Sequence, residues 1–140
     1  MKKIAIVYWS GTGNTEAMAN EIANGAKEAG AEVSLFTSAD FTADKVSGFD
    51  ALAFGCPSMG AEQLEETEFG PMFDAVERSL SGKSVALFGS YGWGDGQWMR
   101  DWQARCNDAD INLVSDGLII NEAPDDNGIA QCRALGKSLA

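Results

Sequence analysis

Three stretches of this chain are apolar at consecutive positions: residues 4–9, 51–56 and 85–88. A strand with one wet face alternates apolar and polar residues. Unbroken apolarity requires cover on both faces, the condition of a parallel strand lying between layers of helices. A further run alternates, with Val33, Leu35 and Thr37 to one side and Ser34 and Phe36 to the other. A fifth run covers residues 112–114 and 117–120, read here as one uninterrupted strand. The segments between carry helical spacing. Met18, Ile22 and Ala26 recur within residues 15–29, and Gly30 follows as a stop. Phe73, Val76 and Leu80 form a face within residues 70–80, with Pro71 in the first turn and Gly82 beyond the end. Residues 98–107 and 128–140 repeat apolar positions at three and four. Residues 40–46 predict only a short helix. The resulting β-α alternation predicts a doubly wound, three-layer α/β sandwich around a five-stranded parallel sheet.

The length of 140 residues matches one domain, 1–140. A chain of this size buries enough surface to need neither disulfides nor a structural metal. The net charge of −11 argues against binding nucleic acid or anionic membranes and in favour of a basic protein partner. No histidine is present, which removes His-dependent triads and the commonest transition-metal ligand. Cys56, Cys106 and Cys132 are odd in number and widely spaced, so they read as inert thiols in a reducing compartment. The start of the chain lacks the apolar core and cleavage site of a secretion signal, and no run is long enough to span a membrane. A cytoplasmic location is expected.

In open α/β sheets, ligands bind outside the carboxyl ends of the strands. Three loops there are unusual. The first is Ser10, Gly11, Thr12, Gly13, Asn14 and Thr15, between a buried strand and a helix N-terminus. Its N–H groups and hydroxyls form an anion nest, reinforced by the helix dipole. No Lys or Arg occurs between Ile4 and Ala26, and neither a P-loop nor a dinucleotide fingerprint is present. The loop therefore suits one terminal phosphomonoester. The second loop is Pro57, Ser58, Met59, Gly60, Ala61 and Glu62. The third runs from Ser90 through Tyr91, Gly92 and Trp93 to Gly96. An indole held among glycines suits a flat partner. A nest plus a slot flanked by a thioether and an indole points to a planar monophosphate, for which FMN fits better than a dinucleotide.

These loops resemble those of the short-chain flavodoxins over essentially the whole chain. Tyr8-Trp9-Ser10-Gly11-Thr12-Gly13-Asn14-Thr15-Glu16, Gly55-Cys56-Pro57-Ser58-Met59-Gly60 and Phe88-Gly89-Ser90-Tyr91-Gly92-Trp93-Gly94 carry the resemblance. It implies strand order 2-1-3-4-5, the arrangement this family exemplifies, with FMN at the switch point. It implies that Ser10 to Thr15 hold the phosphate, and that Met59 and Trp93 flank the isoalloxazine. Backbone from Gly60 to Glu62 would meet the N5 and N3 side of the ring. Gly92 and Trp93 would meet the pyrimidine edge, with Ser90 and Tyr91 beside it. The implied role is a low-potential one-electron carrier, not an enzyme. It would pass between neutral semiquinone and anionic hydroquinone, and serve as a monomer to basic redox partners such as reductases and low-potential oxidoreductases. The turn after Gly60 would flip on reduction, and Ala61 would carry a costly positive φ there. Glu62, Glu65, Glu66, Asp95 and Asp125 would disfavour the hydroquinone. A flavin-dependent quinone or nitro reductase is the rival reading, opposed by a Trp93 that covers the ring. A phospho-acceptor receiver domain lacks its acidic pair here, and Cys56 stands where its aspartate would be. A cofactor-free interaction domain would leave the nest and Trp93 unexplained.

Overall fold

The computed structural model describes residues 2–140. In chain order it contains β1 (Lys3–Tyr8), α1 (Asn14–Glu28), β2 (Glu32–Thr37), β3 (Ala51–Gly55) and α2 (Phe69–Val76). Then come β4 (Ser84–Tyr91), α3 (Gln97–Asp108), β5 (Asn112–Leu113), β6 (Leu118–Asn121) and α4 (Asp126–Leu139). The sheet runs β2-β1-β3-β4-β5 and every described pairing of its strands is parallel. The doubly wound fold and its strand order are as the sequence and its resemblance implied.

Both faces of the central strands are covered, which is why their sequences do not alternate. In β1, Ile4 and Ile6 point into one core with Met18 and Ile22 of α1 and Cys132 and Leu139 of α4. Ala5 and Val7 point into the other, with Phe73 of α2 and Trp98 and Trp102 of α3. β2 lies at the edge, and there Leu35 remains 41% exposed. Helices α1 and α4 touch backbone to backbone. A Cβ at Gly25 would lie 2.1 Å from the Arg133 carbonyl oxygen, and one at Gly136 would lie 2.0 Å from that of Ile22.

Three expectations change. The fifth strand is interrupted: β5 and β6 both pair with β4, with residues 114–117 between them. Here the backbone passes hard against α3. A Cβ on Gly117 would fall 2.3 Å from the Met99 sulfur, and the Gly117 N–H is taken by the Gln103 side chain instead of the ladder. Second, the helix read over 70–80 ends at Val76 and tightens into a 3₁₀ turn, Glu77–Ser79, that keeps Leu80 buried. Third, the short helix of 40–46 is two 3₁₀ turns, Ser38–Asp40 and Ala43–Gly48. They flank Phe41, whose ring packs 5.1 Å from Phe36 and 6.3 Å from Phe54, centroid to centroid. The winding brings the loops after β1, β3 and β4 together at one end of the sheet.

Candidate functional site

The loop after β1 turns through Gly13, left-handed at φ 95°, to launch α1. Ser10 Oγ accepts the N–H groups of Gly13 (3.1 Å) and Glu16 (3.3 Å). The N–H groups of Thr12, Asn14 and Thr15 have no protein acceptor among the described residues. Thr15 is buried, and its hydroxyl lies 2.9 Å from that of Ser90. The Ser90 N–H also donates to Thr15 Oγ1 at 3.3 Å. These bonds tie the first loop to the carboxyl end of β4. The result is an anion-receptive helix end held by neutral dipoles, since no Lys or Arg lies in its walls.

A cleft of about 400 Å³ opens beside this turn. Thr12 and Asn14 stand at one side, Ser58 and Met59 at another, and Tyr91 and Gly92 at a third. Ser58 Oγ is buried without a partner. Two wall residues escaped the sequence reading. Trp9 lines this cleft and also a more polar hollow of about 500 Å³ that holds Ser10, Gly13 and Glu16. Its Nε1 donates to Glu68 at 3.3 Å, and Gly11 passes close to its ring. A tryptophan at the mouth of a buried strand, next to a glycine loop, was the available signal. Glu122 is the one carboxylate among the described walls of the 400 Å³ cleft. It is left-handed at φ 58° and its N–H donates to the Tyr91 carbonyl at 2.8 Å. No local motif announced it.

The loop after β3 folds into a hairpin. Met59 and Gln63 exchange two backbone bonds of 2.9 and 2.8 Å around Gly60, Ala61 and Glu62. The left-handed residues are Gly60 (φ 52°) and Glu62 (φ 53°), not Ala61. In a three-residue hairpin the last loop position takes this conformation. In this hairpin the positive φ therefore falls on Glu62 and not on Ala61. Gly60, Ala61 and Glu62 lie outside the cleft walls, and Glu62 Oε1 accepts the N–H of Gln97 at 3.0 Å.

Glu65, read as a charge beside the ligand, has another task. Its buried carboxylate accepts the N–H groups of Thr67 (2.8 Å), Glu68 (2.7 Å) and Phe69 (2.8 Å) and the Thr67 hydroxyl. Burial alone would raise its pKa, but these bonds outweigh that and lower it to about 2. Cys56 beneath it accepts the Glu65 N–H, and burial pushes its thiol up to about 12. Cys106 and Cys132 are likewise buried and raised to about 12. All three are poor nucleophiles, as expected.

On the loop after β4, Tyr91 packs against Trp98 at 5.7 Å between centroids. Trp93 does not share that contact; it stands 61% exposed and, like the turn 60–62, lies outside the cleft walls, which its neighbour Gly92 lines. No described helix is long and apolar enough to cross a membrane, and no described cluster could hold a metal.

Comparison with known proteins agrees with this geometry. Residues 6–136 match the sequence model of the flavodoxin family. The chain is 46% identical to the flavodoxin of Megasphaera elsdenii over 137 residues, covering 98% of each. It is 47% identical to that of Clostridium beijerinckii over 135 residues, covering 96% and 97%. The solution structure of two-electron reduced Megasphaera elsdenii flavodoxin superposes with a TM-score of 0.90 over 97% of both chains, at 46% identity. A flavodoxin from the domain Archaea gives 0.87 at 26% identity, covering 99% of this chain and 96% of its own. With a matching sequence model, full-length relatives and the same fold, this chain belongs to the flavodoxin family, the FMN flavoproteins of electron transport.

Proposed function

We propose that this chain acts as one domain over residues 1–140, a low-potential one-electron carrier with noncovalently bound FMN and not an enzyme in its own right. FMN supplies the redox chemistry when bound. One observation supports the reading above the others. Three loops meet at a single cleft with a cation-free N–H turn at one end and the thioether of Met59 and the rings of Trp9 and Tyr91 elsewhere. A phosphomonoester and a flat ring divide their chemistry in the same way. The partnerless Ser58 hydroxyl is a further group suited to a polar ligand.

In this reading Ser10, Gly11, Thr12, Gly13, Asn14 and Thr15 hold the phosphate. Met59 and Trp93 cover the ring and exclude water. Trp93 is exposed on a glycine-flanked loop and gives up little packing in doing so. Pro57, Ser58 and the turn Gly60, Ala61 and Glu62 border one edge. Ser90, Tyr91 and Gly92 border another. Gly60 lets the following peptide turn over, so that its carbonyl accepts a ring N–H present only on the reduced cofactor. The exposed carboxylates Glu66, Asp95, Glu122 and Asp125, together with Glu62, oppose added negative charge, which lowers the potential of the last electron. The same charges steer basic partners, reductases and low-potential oxidoreductases, to a monomeric protein in the cytoplasm.

Anaerobic photoreduction followed by visible absorbance tests this. A yellow protein turning blue, with a long-wavelength band, is the expected result. Direct bleaching indicates two-electron chemistry and favours a reductase; a colourless protein that takes up no FMN removes the reading.

A further inference from the structure

The polar hollow beside the turn after β1 holds two carboxylates in its walls, Glu16 and Glu68, and no Lys or Arg. Negative charge next to a turn of free N–H groups opposes an anion there. Each carboxylate, however, is the acceptor for a ring at the end of β1. Glu16 Oε2 accepts the Tyr8 hydroxyl at 2.9 Å, and Glu68 Oε1 accepts Trp9 Nε1 at 3.3 Å. The Trp9 backbone is fixed by its own N–H, which donates to the Gly55 carbonyl at 3.0 Å. Its indole packs against the core that holds Phe69 and Phe73. The far edge of the ring meets Gly11, where a Cβ would fall 3.1 Å from Cη2 and 3.3 Å from Cζ3. The acceptor is fixed as well. Glu68 stands just before α2, and its N–H donates to the buried Glu65 carboxylate at 2.7 Å. The Glu68 side chain makes no cap bond to α2, so its bond to the indole is not shared with the helix.

We propose that Glu68 is a positioning residue for the anion-receptive turn and acts on it through Trp9. Within the turn, the Ser10 hydroxyl binds the N–H groups of Gly13 and Glu16. Gly11 and Thr12 are exposed and have no hydrogen bond among the described residues. The indole edge against Gly11 is therefore what limits their swing, and Glu68 sets the tilt of the indole. Charge and support act on a bound phosphate in opposite directions. Removing a nearby carboxylate relieves repulsion and tightens binding. Removing the support loosens the turn and weakens binding. The role rests on the FMN reading above, and the sign of the effect shows which of the two Glu68 supplies.

The test is FMN binding to the full-length chain by equilibrium dialysis, with the phosphorus NMR signal of the bound cofactor and its visible absorbance read in parallel. Glu68→Ala is expected to weaken binding roughly two- to fivefold, at most the equilibrium effect of one net hydrogen bond. The phosphorus signal should move while the flavin absorbance stays unchanged. Glu68→Gln discards the charge but keeps an acceptor oxygen at the same reach, and is expected to bind at least as tightly as wild type. Trp9→Phe keeps a ring and discards the N–H; it is expected to weaken binding as Glu68→Ala does, and the double variant to lose no more than either alone. Tighter binding by Glu68→Ala makes Glu68 a charge and overturns the role. Weak binding by Glu68→Gln, additive losses in the double variant, or a changed flavin absorbance in Glu68→Ala also overturns it. A chain that takes up no FMN defeats the functional reading; a chain that takes it up equally in every variant defeats the positioning role alone.

Discussion

Glu65→Gln is the substitution whose effect the structure determines most fully. The native carboxylate collects three main-chain N–H groups and the Thr67 hydroxyl at the start of α2. These hold its pKa at about 2, against an ordinary value of 4.5. That difference corresponds to roughly 3 kcal/mol of preference for the charged form in the folded state. A neutral amide of the same shape keeps one acceptor oxygen, so the expected loss at pH 7 is smaller, about 1–3 kcal/mol. For a chain of this length, 2 kcal/mol corresponds to a fall in Tm of roughly 7 °C. The sign of the pH dependence follows from the lowered pKa. The contribution is fully present above the unfolded value and is lost as pH falls through the folded one. The gap between wild type and variant should hold from pH 7 to about 5, narrow below 4.5 and nearly close at pH 2. Urea unfolding followed by tryptophan fluorescence, at matched ionic strength across that range, measures the gap, and the other carboxylates cancel in the difference. A gap independent of pH, or one below about 0.5 kcal/mol at pH 7, refutes the assignment of Glu65 as the charged cap of α2.

Four further outcomes are expected. Gly136→Ala drives a methyl group into the Ile22 carbonyl and should destabilise by about 1–3 kcal/mol, visible in thermal unfolding; a neutral result means α1 and α4 do not pack backbone to backbone. Trp93→Ala removes an exposed indole, so stability without FMN should stay within about 0.5 kcal/mol. FMN affinity should nevertheless fall by tenfold or more in equilibrium dialysis, a loss of about 1.4 kcal/mol, and unchanged affinity removes Trp93 from the site. Glu122→Gln should raise the potential of the second one-electron step by roughly 20 mV at low salt and by less at high salt; spectroelectrochemical titration decides, and a shift indifferent to salt rejects a charge effect. Native protein at pH 8 should resist a thiol-directed reagent that labels Cys56, Cys106 and Cys132 once urea unfolds it; rapid native labelling contradicts their burial.

Much of the fold follows from local pattern. Ile4 to Val7 are apolar in succession because alternate residues enter different cores, a property set by the two-residue period of a strand. The candidate site was legible for the same kind of reason. Glycines, hydroxyl residues and an indole stand directly after buried strands, and parallel winding carries those loops to one end of the sheet. What the sequence alone determined is thus the layered α/β architecture, the inertness of the thiols and the three loops that converge.

Only the tertiary structure decided which atoms meet. Thr15 and Ser90 bond across 75 positions, and Gln103 takes the N–H of Gly117 where the fifth strand breaks. Glu65 turns to α2 and Glu62 to α3, although both read alike as acidic loop residues, and Glu122, which no motif announced, lines the cleft. The left-handed backbone fell on Glu62 and not Ala61 because hairpin closure between Met59 and Gln63 chose the register. A carboxylate's role depends on which donors lie within hydrogen-bond reach, and those donors are brought there by chain packing far from it in sequence.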